Sequence, residues 1–220
     1  FGKFQINSKP TILDVINIVT AKSNIDYKIT IPEGWEKYQF DKYLKSIYTN
    51  FKDIAYNDLI AETYIINSSN SFKDFKKFTT LYKENFFEKY SDNRLLKKYG
   101  INNILVIASL VEKEAKNNED KGLIASVIFN RLNKNMKLQI DASVINAITN
   151  GKYKLNRPLK YSDLKLKNQQ NTYYIKGIPK KMICFVGHNT LKIILSDTKS
   201  DFLFYFYNIL EKKHLFSKNF

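Results

Sequence analysis

Several residue types that build common catalytic sites are scarce in this 220-residue chain. A single cysteine, Cys184, excludes an internal disulfide and any metal site built from several cysteines. The two histidines, His188 and His214, form no His-Glu-x-x-His pattern, so a zinc site would lack ligands. Neither a glycine-rich phosphate-binding loop nor a serine nucleophile elbow is present. The sequence therefore predicts no metal and no cofactor.

Glycine and proline are also few, at seven and four residues, which favours helices and short strands over a turn-rich β-sandwich. No apolar run reaches the roughly 18 residues needed to span a bilayer. Phe1 is not a natural start. We therefore expect the chain to be a fragment whose upstream anchor or signal is missing.

What the chain has in abundance is apolar and basic residues. Hydrophobic residues make up 44% of it, with 16 Phe and 15 Tyr, enough to build a folded core. The formal charge is +15, yet only Arg94, Arg131 and Arg157 among the 36 basic residues are arginine. Nucleic-acid sites favour arginine, so this bias weakens such a function. The charge still favours binding of a polyanion, including a carboxylate-bearing polymer.

The first fifty residues are predicted to form a small α/β unit. Alternation predicts strands over 3–6 and 26–31, and the Pro10-Thr11 start predicts a helix to about residue 21. A turn at 32–34 precedes a helix over 36–48 whose apolar face comprises Phe40, Tyr43, Leu44 and Ile47. This unit shows no catalytic pattern.

The remainder is predicted to be mainly helical. Phe72, Phe75, Phe78, Leu81, Tyr82 and Phe86 mark a buried aromatic face on a helix over 71–90. Further helices are expected over 119–132, 142–149, 162–167 and 189–195. Strands over 202–207 and 214–217 would form a hairpin. The predicted class is α+β, with a helical domain and a small antiparallel sheet.

The chain is organised around residues 104–115, an apolar run that ends abruptly in charge. Helical periodicity places Glu112 and Glu114 on the two shoulders of a buried stripe, where glutamate is unusual unless it is paired or used. Because they are two residues apart, their side chains diverge. A glutamate that does chemistry here does so largely alone.

With metal, phosphate-loop and serine-nucleophile sites excluded, the remaining candidate chemistry is that of carboxylates. Burial can raise the pKa of a glutamate so that it donates a proton near neutral pH and takes it back, which suits cleavage of a glycosidic bond. Ordinary glycosidases need a second carboxylate, unless the substrate supplies its own nucleophile. Spacing alone favours a structural acid, and Ser109 is interpreted as a packing residue.

Three linked motifs at this helix resemble the signature of the MltG (YceG-like) family. They are Ala-Ser-Leu-Val-Glu-Lys-Glu at 108–114, Ala-Ser-Val-Ile-Phe-Asn-Arg-Leu at 125–132, and Met-Lys-Leu-Gln-Ile-Asp at 136–141. Residues 31–35, 171–173, 177–179, 202–206 and 214–217 extend the similarity over most of the chain. Ala142 departs from the family's usual proline.

The resemblance implies an endolytic murein transglycosylase. Glu114 would be the catalytic acid and base that cuts the bond between N-acetylmuramic acid and N-acetylglucosamine without water and leaves a 1,6-anhydro end. It also implies a LysM-like subdomain over 1–50, truncated at its start, and a catalytic domain over 51–220.

The resemblance further implies substrate-binding roles for Glu112, Gln139, Asp141, Asn171 and Tyr173. Alternatives stay open for three of them: Glu112 as an ion-pair partner, Asp141 as a helix cap, and Asn171 as a loop tie. Arg131 is expected to hold a carboxylate, and His214 to pack within its strand.

The partners implied are peptidoglycan glycan strands and, in addition, penicillin-binding proteins or other cell-wall synthases, with no nucleic acid. The implied location is the bacterial inner membrane, with an anchor outside this chain and the catalytic domain facing the periplasm. Two alternatives remain: a non-catalytic peptidoglycan-binding or scaffold protein, and a cationic nucleic-acid binder that rests on charge alone.

Overall fold

The computed structural model describes residues 3–6, 9–21, 25–67 and 70–219. Within these ranges the chain forms eight α-helices, four β-strands and a short 3-10 turn at Tyr56–Asp58. The helices and strands are, in order, α1 (Ile12–Thr20), β1 (Asp26–Thr30), α2 (Lys37–Ile47), β2 (Thr63–Asn67), α3 (Phe72–Glu88), α4 (Arg94–Glu114), α5 (Asn118–Asn133), α6 (Asp141–Thr149), α7 (Tyr161–Leu164), α8 (His188–Leu195), β3 (Phe204–Asn208) and β4 (Lys213–Ser217).

Helix α4 is the centre of the larger hydrophobic cluster. Its residues 104–111 are all buried, and α5, α6 and α8 pack against it. The helix is interrupted at Gly100, whose φ of 74° is a conformation that glycine adopts without steric cost. The prediction of a helix that ends at the acidic residues is confirmed. It is buried on all sides, however, and not along one stripe.

A second hydrophobic cluster joins the two sides of the predicted boundary at residue 50. Strands β1 and β2 pair antiparallel, with Thr30 opposite Thr63. Ile29 and Tyr64 on these strands pack in one cluster with Phe40 of α2 and Phe75 of α3. Packing is therefore continuous across residue 50, and the two-domain division stays a prediction.

The N-terminal predictions are confirmed in part. Helix α1 begins where predicted, with Thr11 and Asp14 forming a capping box. The predicted strand over 3–6 is wrong, because these residues have no regular secondary structure; β1 pairs with β2. None of the α1 side chains is buried, and Ile12 is 79% exposed.

Most of the predicted aromatic face of α3 is core. Phe72, Phe75 and Phe86 are buried, but Phe78 and Leu81 lie at the exposed edge. Ile47 of α2 is likewise exposed, because the second cluster covers only the Phe40 side of that helix. Helix α7 ends at Leu164, three residues before the predicted end.

The predicted C-terminal hairpin is confirmed. Strands β3 and β4 pair antiparallel with Tyr207 opposite His214, and β3 packs against α5. The hairpin thereby lies beside the end of α4. No helix in the described ranges has both the length and the apolar content needed to cross a bilayer.

Candidate active site

Glu114 is the last residue of α4 and lies at the edge of the core. The hydroxyl of Tyr205 on β3 donates a hydrogen bond to Glu114 Oε2 at 3.2 Å. Among the described residues, no lysine, arginine or histidine nitrogen forms an ion pair with this carboxylate. The carboxylate is therefore held by hydrogen bonds and not by an ion pair within the described residues.

The pKa of Glu114 is raised above its ordinary value of 4.5. Burial is the largest cause, and the charge of Asp141 acts in the same direction. The Tyr205 hydrogen bond opposes the rise, as do His214 and the backbone N–H of Ala142. Desolvation prevails, so this carboxyl can carry a proton at a higher pH than an exposed glutamate.

Asp141 and Tyr173 form the facing wall of the site. The Tyr173 hydroxyl donates to Asp141 Oδ1 at 2.7 Å. Burial, followed by Asp141 and then Glu114, raises the pKa of Tyr173, so this phenol stays a hydrogen-bond donor. Asp141 is the first residue of α6, whose N-cap is Ile140. The predicted cap role of Asp141 is wrong by one residue, because Ile140 keeps an extended backbone and its N–H bonds to Thr172.

Glu112, two residues before Glu114, has different surroundings. Lys121 of α5 pairs with its Oε1 at 3.0 Å, and the Gly187 N–H donates to its Oε2 at 3.2 Å. The side chain is only 5% exposed. Lys121 also reaches Glu33 at 3.3 Å. The ion-pair alternative for Glu112 describes these contacts, whereas its substrate-binding role stays a prediction.

Gly187 leaves room for the Glu33 carboxylate. A Cβ at this position would overlap the end of the Glu33 side chain, which would have to move. The carboxylates of Glu33 and Glu112, the ammonium of Lys121 and the Gly187 backbone therefore pack as one unit.

Asn171 and Gln139 lie on the loops next to Tyr173. Asn171 is fully buried and donates to the carbonyl oxygens of Leu164 and Leu166, while its Oδ1 accepts from Tyr173 N–H at 2.9 Å. These are the contacts of the loop-tie alternative. Gln139 is exposed, with a φ of 54°. Its side chain is open to solvent. Its backbone N–H donates to Thr172 O, which places Gln139 next to Tyr173.

Arg131 does not hold a carboxylate among the described residues, so that prediction is wrong. Its guanidinium donates to the backbone carbonyls of Leu203 at 2.6 Å and Leu138 at 2.7 Å, and it lies 5.2 Å from the Phe204 ring centroid. Bonds to carbonyls compensate a buried guanidinium without a carboxylate. Arg131 thus joins β3 to the chain that precedes α6.

Two features of the site were not predicted from the sequence. Tyr205 is one, because β3 alternates Phe with Tyr, and its sequence does not distinguish an inward from an outward face. The other is the buried pair of His214 Nδ1 and Asp120 Oδ2 at 2.8 Å. No local signal in the sequence connects Asp120 with a residue 94 positions away.

No three His, Cys, Asp or Glu side chains lie close enough to share a metal ion in the ranges that the structure describes. Cys184 is fully buried, and burial raises the pKa of its thiol well above the ordinary value. Ser109 accepts a hydrogen bond from Ile183 N–H inside the core. The candidate chemistry is therefore that of carboxyl and hydroxyl groups.

Comparison with known proteins relates this site to a family. The chain is 33% identical over 157 residues to a Bacillus subtilis endolytic murein transglycosylase, a match that covers 71% of this chain and 42% of that protein. It is 32% identical over 126 residues to a Streptococcus pneumoniae protein of the same name, covering 56% and 22%. The chain thus spans less than half the length of these relatives.

The fold has a close counterpart in a crystal structure of a YceG-like protein from Listeria monocytogenes. The TM-score is 0.73 at 26% identity, over 87% of this chain and 73% of that one. The sequence profile of the YceG-like family matches residues 1–220. The chain belongs to the YceG-like family.

Proposed function

We infer that this chain is the catalytic part of an endolytic lytic transglycosylase, a lyase that cuts murein glycan strands without consuming water. One observation carries the inference: Glu114 is a carboxyl with a raised pKa, held by a hydroxyl and by no cation in the described residues. The names of the relatives from Bacillus subtilis and Streptococcus pneumoniae support the reaction class.

The reaction needs only one carboxyl. Protonated Glu114 donates its proton to the glycosidic oxygen, and the bond from that oxygen to C1 of N-acetylmuramic acid breaks. The Glu114 carboxylate then removes the proton from the C6 hydroxyl of the same sugar, whose oxygen bonds to C1. The products are a 1,6-anhydro end and a free hydroxyl, and Glu114 regains its proton. Water has no part, so the second carboxylate of a hydrolase is unnecessary.

The neighbouring groups suit supporting roles. Tyr205 orients the Glu114 carboxyl and stabilises its charged form between the two proton transfers. Asp141 and Tyr173 provide an acceptor and an aromatic ring for sugar hydroxyl and acetamido groups. Gln139 extends this surface, while Asn171 and Glu112 act on it through the loop and the helix that they hold.

The proposal includes the setting of the whole protein. Residues 1–50 are assigned to a LysM-like subdomain, and the longer protein to the inner membrane with this domain in the periplasm. There it would limit the length of nascent strands beside penicillin-binding proteins or other synthases. The charge of +15 favours contact with a polymer that carries carboxylates.

Mass spectrometry of products from purified sacculi tests the reaction. Wild-type protein is expected to release anhydromuramoyl ends, and Glu114→Gln to reduce release by about a thousandfold, since the amide cannot transfer the proton. The matched control is Glu84→Gln, the same change at an exposed position of α3, which should release products at the wild-type rate. Equal release by Glu114→Gln would defeat the assignment. Binding of sacculi without release by the wild type would favour a non-catalytic scaffold.

A further inference from the structure

A second cavity lies outside the site described above, between β2 and the start of α8. It has a volume of about 400 Å³, within the range of small-ligand sites. Its polar lining side chains come from four separate segments of the chain. Those used below are Glu33, Glu62, Tyr82, His188, Asn189 and Lys192, and together they define the β2–α8 cavity.

The β2 side of the cavity presents the carboxylate of Glu62. Glu62 accepts hydrogen bonds from the Tyr82 hydroxyl at 3.4 Å and from the N–H of Thr63 at 2.9 Å, and forms no ion pair with any described residue. Glu33 also lines the cavity, but its carboxylate packs against Gly187 and pairs with Lys121 at 3.3 Å, so its charge is compensated. A carboxylate without a cation in a cavity wall attracts an ammonium group.

The other side of the cavity carries positive charge. Lys192 is exposed, and its ammonium has no ion-pair or hydrogen-bond partner in the described residues. Lys192 lies one turn after His188 on α8, so both belong to one helix face at the cavity. Asn189, next to His188, is held in place because its side-chain amide donates to Asn118 Oδ1 at 2.9 Å.

The tyrosine and histidine between these two sides are fixed to one another. The Tyr82 hydroxyl lies 2.6 Å from His188 Nδ1. Burial, and then Lys192, lower the pKa of His188, so the imidazole is neutral at pH 7. The cavity thus carries the Glu62 carboxylate beside β2, the Lys192 ammonium on α8, and the hydrogen-bonded Tyr82–His188 pair, whose tyrosine also contacts Glu62.

The cavity is joined to the catalytic helix by the ion pairs of Glu33. Lys121 connects Glu33 with Glu112, and Glu112 binds the N–H of Gly187, the N-cap of α8. Glu112 is two residues before Glu114 on α4. A ligand held in the cavity is therefore positioned by the same helices that position the candidate acid.

We propose that the β2–α8 cavity binds a short peptide through its amino and carboxylate groups, and that this peptide is the stem carried by the murein strand cut at Glu114. The amino group would meet Glu62, and the carboxylate would meet Lys192. The identity of the peptide rests on the proposed function, whereas the charge pattern of the cavity does not.

Binding is tested with the synthetic tripeptide L-alanyl-γ-D-glutamyl-L-lysine, followed by NMR of the two histidine rings. The chain has only two histidines, and His214 lies buried in the other site, so it is an internal control. The tripeptide should shift the signals of His188 and leave those of His214 unchanged. A version with its amines acetylated and its carboxylates amidated should not bind. Shifts of neither ring, or equal shifts with the blocked peptide, would overturn the proposal.

Variants that remove one charge each test whether Glu62 and Lys192 bind the tripeptide. Glu62→Gln and Lys192→Met should each weaken tripeptide binding about threefold to fivefold, and the double variant about tenfold. The matched controls are Glu84→Gln and Lys77→Met, which make the same changes at exposed positions of α3. Unchanged affinity in the double variant would contradict the proposal.

Activity separates this proposal from the proposed function. On peptide-bearing strands the double variant should show a KM about tenfold higher, and on strands stripped of peptide by an amidase it should match the wild type. An equal loss on both substrates would contradict a peptide site. If the wild type releases no anhydro ends from either substrate, the proposed function fails, while the histidine shifts still decide whether the cavity binds peptide.

Discussion

Glu112 and Glu114 lie two residues apart on one helix, yet their surroundings are opposite in kind. Both oxygens of Glu112 are occupied, by the Lys121 ammonium and by a backbone N–H. Glu114 has a tyrosine hydroxyl and no described cation. The helical period turns the two side chains in different directions. Glu112 therefore meets a lysine, whereas Glu114 is desolvated without a cation.

The difference separates a structural from a reactive carboxylate. An ion pair with further hydrogen bonds fixes a charge in place, and its removal leaves a buried partner without compensation. A desolvated carboxyl without a cation holds its proton more readily, which is what a general acid requires. Under the proposed function, Glu112 therefore affects stability first, and Glu114 affects chemistry first.

The largest effect on stability is expected from Lys121→Met. The variant leaves Glu112 and Glu33 close together without the ammonium that lies between them, and the Glu112 side chain is only 5% exposed. The free energy of unfolding should fall by about 3 kcal/mol. Denaturant unfolding followed by circular dichroism measures it. Adding Glu112→Gln should restore much of the loss, and an unchanged midpoint for Lys121→Met would show that the pair is not buried.

Glu114→Gln changes the other carboxyl of the same helix, and it should raise the free energy of unfolding and not lower it. In the folded state the pKa of Glu114 is raised above its ordinary value of 4.5. Ionising this carboxyl therefore costs more free energy in the folded chain than in the unfolded chain, so its charge destabilises the folded state at neutral pH. The glutamine variant should therefore be more stable than wild type at pH 7, and the difference should vanish as the pH falls below 4.5. Lower stability of the variant at pH 7 would contradict the comparison.

The central helix and both carboxyls could be predicted from the sequence, and the partners of those carboxyls could not. An apolar run that ends in charge specifies the helix over 104–114 and the divergence of Glu112 and Glu114. Lys121 and Tyr205 come to these residues through the packing of α5 and the hairpin, for which one sequence has no local signal. The Phe and Tyr residues that alternate along β3 do not indicate which face of the strand turns inward.

Loop contacts were less predictable still. The family motifs placed Asn171 and Tyr173 at the site, but the full burial of Asn171 depends on carbonyls of a segment several residues away. The predicted partner of Arg131 was wrong because backbone carbonyls, which every residue carries, compete with carboxylates for a buried guanidinium. Sequence identifies the donor, and only the fold identifies its acceptor.

Tyr205→Phe sharpens the comparison at Glu114. The hydroxyl stabilises the charged form, so its loss should raise the pKa of Glu114 further. Anhydro-end release should fall about tenfold at its optimum because the carboxyl is less well oriented. The descending limb of the pH–rate profile, which follows loss of the acid proton, should move to higher pH. A lower rate with an unmoved profile would indicate a purely structural tyrosine.

Asp141→Asn should move the descending limb of the pH–rate profile to lower pH, by a smaller amount than Tyr205→Phe moves it to higher pH. The Asp141 carboxylate raises the pKa of Glu114 through its charge, and an amide of the same shape removes the charge but can still accept from the Tyr173 hydroxyl. We expect a descending limb at lower pH and release reduced about threefold at neutral pH, where less of Glu114 is protonated. The shift should shrink as salt is added, because Asp141 is exposed and its field is screened. Shifts in the same direction for Asp141→Asn and Tyr205→Phe would mean that both variants act on the shape of the site and not on the proton of Glu114.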